Sequence, residues 1–75
     1  MTATTTTTAM TVTVNGEERA VASETTVAAI IADLGFGPRR VAVEVNCDVI
    51  PQDQYHGRRL ASGDVVEIVH FVGGG

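Results

Sequence analysis

Lysine is missing from this chain of 75 residues, and its five cations are all arginines: Arg19, Arg39, Arg40, Arg58 and Arg59. One copy therefore offers no side-chain amine for conjugation to another. Cysteine occurs once, at Cys47, so no intrachain disulfide can form, and no His/Cys cluster has the spacing of a metal site. Small scaffolds often rely on one of those staples. This one must rely on an apolar core, which its 44% hydrophobic content can supply. No apolar run approaches the ~20 residues of a membrane span, and the N-terminus lacks the basic region and apolar stretch of a secretory signal. With a lone thiol, these absences point to a reducing cytoplasm. Positive charge is also short, leaving a net charge of −4. That argues against nucleic acid, which wants a basic footprint, and against an anionic membrane surface, but it permits docking onto a basic partner.

What is present fits one domain. A chain this short buries about 60% of its unfolded surface, which leaves little room for an internal cleft. Residues 1–9, with the run Thr4 to Thr8, are low in complexity and read as a disordered extension. The domain is expected over residues 10–72, and residues 73–75 form a flexible glycine tail.

Within the domain, Thr11-Val12-Thr13-Val14 alternates polar and apolar residues, the period of a half-buried strand. Asn15-Gly16 is a strong hairpin signal, since both residues tolerate positive φ, and Glu17 to Ala22 returns as the second strand. Thr26 is placed to cap a helix with its hydroxyl. Val27, Ile30, Ile31 and Leu34 then form one apolar stripe. Gly35 stands where a left-handed cap residue belongs, and Pro38 prevents the helix from resuming. Val41 to Val45 alternates again, Asn46-Cys47-Asp48 turns, and Pro51 confines Val49-Ile50 to a sheet edge. A polar irregular stretch from Gln52 to Arg59 leads to Leu60, which is expected to plug the core. After a turn at Ser62-Gly63-Asp64, Val65 to Val72 reads as the last strand, with Val66 and Ile68 facing the helix.

The resulting fold class is α+β. It has the order ββαββ with a short edge strand, giving a mixed sheet of four to five strands with one helix packed on one face. The second face is left open. Val69 and Phe71 lie on it beside the tail, and an exposed apolar patch usually marks an interaction site.

Chemistry-bearing side chains are few. Cys47 lies in a turn with no neighbouring cation in sequence to activate its thiol. His70 is a polar residue on a strand near the tail, and His56 has no chemical context. Glu44 and Glu67 lie on strands, and nothing in the sequence pairs them. No residue reads as a catalyst, and none calls for a metal or cofactor. The remaining candidate is the backbone end, Gly73-Gly74-Gly75. Without Cβ atoms it can thread a channel too narrow for other residues, although a frayed terminus has the same composition.

Several segments together carry a family resemblance. They are Asn15-Gly16-Glu17, Thr26-Val27, Arg40 to Asn46 (RVAVEVN), Ile50-Pro51, Gly63 to His70 (GDVVEIVH) and the closing glycines. From Met10 to Gly75 the chain resembles the ThiS family of sulfur carriers, which has the ubiquitin-like β-grasp fold. One departure is Cys47, where that family commonly has glycine.

The resemblance implies that the Gly75 carboxylate is adenylated by a ubiquitin-activating-type adenylyltransferase (ThiF-like). A cysteine-derived sulfur donor then converts it to a thiocarboxylate. That group is delivered to thiazole synthase (ThiG-like) for the thiazole ring of thiamine. The absence of Cβ atoms suits Gly73 and Gly74 to thread the tail, and the exposed apolar patch makes Val69 and Phe71 the expected docking residues. Other readings share the fold: the small subunit of molybdopterin synthase, a carrier for another sulfur pathway, an isopeptide-forming protein modifier, or an interaction module without tail chemistry.

Overall fold

The computed structural model describes residues 9–71. The threonine run and the closing glycines lie outside the described residues. The first strand, β1, spans Ala9–Val14 and pairs antiparallel with β2, Glu17–Ala22. It opens one residue before the boundary read at Met10, because Ala9 finds a ladder partner in Ala22. Asn15 and Gly16 make the expected hairpin turn, with φ of 50° and 86°.

The helix α1 spans Val27–Asp33, and its seven residues are too few to be stable alone. Its first-turn N–H groups all find acceptors. The Thr26 hydroxyl accepts from the Ala29 N–H at 3.2 Å. The Arg58 and Tyr55 carbonyls accept from the Val27 and Ala28 N–H groups at 3.0 and 2.9 Å. The irregular 52–60 stretch thus serves as a cap for the helix, satisfying donors that would otherwise be orphaned.

At the other end, Gly35 has φ of 82°. Its N–H donates to the Ala32 carbonyl, and that of Phe36 donates to the Ile31 carbonyl. This double bond pattern is the Schellman motif, which needs a left-handed residue at the glycine. Pro38 does more than stop the helix: it opens a short 3-10 turn, Pro38–Arg40, that feeds the next strand.

Strand β3 spans Val41–Val45 and β4 spans Asp48–Ile50; β5, Val65–His70, completes a single sheet in the order β2-β1-β5-β3-β4. Val41, Val43 and Val45 all point into the core, as their alternation predicts, and β4 sits at the sheet edge where Pro51 confines it. The core brings Val12 and Val14 of β1, Val27, Ile30 and Ile31 of α1, the β3 valines, Ile50, Val66 and Ile68 together with Leu60 and Tyr55. Tyr55 is the part the sequence did not signal. Flanked by polar residues, it is only 3% exposed. Its hydroxyl donates to the Val41 carbonyl at 3.3 Å, and burial raises its pKa above the ordinary 10.0.

The β3–β4 turn repeats the conformation of the first hairpin, with Asn46 at φ of 53° and Cys47 at 73°. Here a residue with a Cβ occupies the left-handed position that glycine holds at Gly16, a strain of about 1 kcal/mol. Replacing Cys47→Gly should therefore stabilise the domain by about 1 kcal/mol and raise Tm by about 5 °C. Thermal denaturation followed by circular dichroism is the measurement. A lower Tm would show that the Cys47 side chain contributes more than the turn costs.

Candidate functional site

Strand β5 delivers the chain toward its glycine end, so the site is built from whatever holds that strand. Val66 and Ile68 face the helix and are buried, while Val65, Glu67 and Val69 face outward. On one side β3 pairs with β5 along its length, from Val45 opposite Val66 to Val41 opposite His70. The ladder continues one step further, where the Phe71 N–H donates to the Arg40 carbonyl at 2.7 Å.

On the other side β1 runs parallel but pairs only with Val65 and Val66 before it turns away. The Asn15 side chain fills the place a longer strand would take. Its Nδ2 donates to the Ile68 carbonyl at 3.2 Å, and its Oδ1 accepts from the Ile68 N–H at 2.8 Å. The Asn15 backbone N–H donates to the Val66 carbonyl. A second asparagine acts at the start of β5: Asn46 Oδ1 accepts from the Val65 N–H at 2.9 Å, and its Nδ2 donates to Asp64. Both hairpin turns thus present an amide, in the conformation asparagine tolerates, that clamps the strand.

Two aromatic rings complete the root of the tail. Phe36, placed by the Schellman turn, stacks on His70 with ring centroids 4.8 Å apart and planes 18° from parallel. On the opposite face Val69 and Phe71 are 58% and 54% exposed. The structure therefore puts both expected docking residues on the open face, at the C-terminal end of β5. Gly73, Gly74 and Gly75 lie outside the described residues.

Among the described residues no charged residue is buried, and no group of His, Cys, Asp and Glu is arranged to hold a metal. Cys47 is exposed in its turn, and His56 is also exposed. No helix among the described residues is long and apolar enough to cross a membrane.

The local sequence marks Asn15 as a turn residue only and assigns no role to Phe36. The signal for Asn15 is that asparagine recurs at Asn46, at the same place in an equivalent turn. Asn15→Ala removes two hydrogen bonds to partly buried backbone and leaves a Cβ residue at positive φ. It should cost about 2 kcal/mol, lowering Tm by about 10 °C. Amide hydrogen exchange at Ile68 should quicken in that variant. Unchanged protection there would show that the clamp does not secure the strand.

A profile of the ThiS family matches residues 12–75. Over 62 residues the chain is 44% identical to a thiazole synthase of Paramagnetospirillum magneticum, a match covering 83% of this chain but 19% of that protein. The chain thus spans about a fifth of that relative's length. It is 42% identical over 50 residues to the sulfur carrier protein ThiS of Bacillus subtilis, covering 67% of this chain and 76% of that one. Among solved structures, the crystal structure of thiamine biosynthesis protein ThiS from Geobacter metallireducens aligns with a TM-score of 0.74 at 32% identity. That alignment covers 88% of this chain and 100% of the other.

Proposed function

The chain belongs to the ThiS family of sulfur carriers of thiamine biosynthesis, proteins that are not themselves enzymes, and from that premise we propose that the carboxylate of Gly75 is the group that carries the sulfur. The observation that carries this reading is that the family match runs through β5 to Gly75 itself. A carboxylate is a poor electrophile because its oxygen is a poor leaving group. Attack of the Gly75 carboxylate on the α-phosphate of ATP releases pyrophosphate and makes that oxygen part of AMP, which leaves readily. A persulfide sulfur on a cysteine of the donor displaces AMP to form an acyl disulfide. A second thiol then reduces the S–S bond, freeing the thiocarboxylate as a protein disulfide forms.

Tethered sulfur stays nucleophilic without being lost as free sulfide, and its local concentration at the acceptor is raised. The three glycines reach about 10 Å when extended, so Gly73 and Gly74 carry the reacting end into a partner's pocket while the folded body remains outside. Val69 and Phe71, exposed beside the tail root, dock that body.

The partners in this reading are an activating enzyme of the ubiquitin-activating type, a cysteine-derived persulfide donor and a thiazole synthase. A thiazole synthase that contains a segment similar to this chain supports the last of these, because two activities that work in sequence gain from being tethered. The reaction belongs in a reducing cytoplasm, where thiols persist. The test is to incubate the chain with the activating enzyme, ATP and a persulfide donor and to measure its intact mass. An exchange of one oxygen for sulfur, mapped to Gly75 by fragmentation, is the expected result. A mass left unchanged under those conditions sinks the reading.

A further inference from the structure

The open face of the sheet has a charge pattern that the carrier chemistry does not use. Register places Glu44 of β3 directly opposite Glu67 of β5, so two carboxylates project side by side from the face away from the helix. Directly opposite residues have Cβ atoms about 5 Å apart, and like charges there repel. Neither glutamate has an ion-pair partner among the described residues; Arg59 and Glu24 pair at 3.9 Å on another part of the surface. None of the five arginines lies on β3, β4 or β5.

Apolar side chains border the carboxylates on three sides. Val49 of β4 is opposite Glu44, Ala42 and Val69 form the adjacent rung, and Val65 lies beyond Glu67. Val49 is 70% exposed and Val65 45%. Phe71 extends the same face toward the tail. Glu44, Glu67, Val65, Asn46 and Cys47 line a surface depression of about 440 Å³.

We infer that this face docks a thiazole synthase through an arginine of the synthase, whose guanidinium bridges Glu44 and Glu67 while apolar neighbours cover Val49, Val65 and Val69. The inference rests on the carrier reading and adds to it the chemistry of the partner's surface. A guanidinium suits the site because its planar array of five N–H donors can engage two carboxylates at once. Its weak hydration also lets it enter an apolar rim at lower cost than an ammonium. The carboxylates alone would attract any cation. The exposed valines around them specify a protein surface, since covering them removes apolar area from water.

The test is calorimetric titration of the full chain and its Glu44→Gln/Glu67→Gln variant with purified thiazole synthase, in 50 mM and 500 mM NaCl (concentrations of about these values span weak and strong screening). The double variant should keep its fold, with Tm raised by about 2 °C as the repulsion is relieved. Its affinity should fall at least about tenfold at the lower salt. Wild-type binding should weaken with salt, and that of the variant should barely change. Equal binding of the two chains at both salts overturns the inference.

Failure of the wild-type chain to bind overturns it too. So does concentration-dependent self-association lost in the variant, which would assign the face to a second copy. Sulfur loading of the wild-type chain, read by intact mass, reports on the carrier reading separately. A loaded chain that binds the synthase without regard to Glu44 and Glu67 leaves the carrier reading standing and removes only this inference.

Discussion

Removing Gly75 should abolish sulfur loading while leaving the fold as stable as before. The shortened chain still ends in a glycine carboxylate, so the reactive group is chemically the same. What changes is reach: one residue fewer withdraws the carboxylate by about 3.5 Å, and a misplacement of about 1 Å can already cost a hundredfold in rate. Thiocarboxylate formation should fall by a factor of at least about a thousand on that basis. Thermal unfolding should be unchanged, because the buried cluster runs from Val12 to Ile68.

Gly74→Val tests a different property, since it keeps the length and adds a branched side chain to a glycine that the proposed reading threads into a partner's pocket. It should reduce loading by about a hundredfold or more. The two variants separate reach from width. Loading of the truncated chain at the wild-type rate would remove reach as a requirement, and sulfur mapped away from its terminal carboxylate would make the carrier reading fail.

Much of the fold was legible because its determinants are local. The Asn15-Gly16 turn, the Thr26 cap and the Gly35 stop each depend on a few consecutive residues, and all three appear where the sequence puts them. The β3 valines were legible for a similar reason, since alternation fixes which face is buried before any partner is known.

What sequence reading missed depends on contacts between distant residues. The Asn15 amide meets Ile68 across 53 positions, and no local pattern distinguishes that asparagine from one that merely turns. Phe36 meets His70 only because the Schellman turn aims one and β5 carries the other. Tyr55 was hidden by polar neighbours, and its burial follows from the loop's role in capping α1. The pairing of Glu44 with Glu67 needs the β3–β5 register, which alternation leaves undetermined.

The same register argument sets the second large effect, at Phe71. Its backbone is fixed by the bond to Arg40, while its ring stands on the open face, 54% exposed. An aromatic ring left half in water adds little to the stability of the isolated domain. At a docking interface it would act as an anchor on a backbone that is already ordered. Phe71→Asp should therefore change the domain's stability by no more than about 0.5 kcal/mol.

Its effect on binding to the activating enzyme should be much larger, with Kd rising about thirtyfold or more, equivalent to about 2 kcal/mol. Adenylation should show the same loss when enzyme is limiting and recover when enzyme is saturating, because the carboxylate and the threading glycines are untouched. Val69→Asp should act in the same direction. The double variant should lose less than the sum of the two, since neighbouring anchors in one patch are not additive. A titration in which Phe71→Asp binds as tightly as the wild-type chain removes Phe71 from the interface, and an adenylation rate that stays low at saturation would move its role from docking to the placement of the tail.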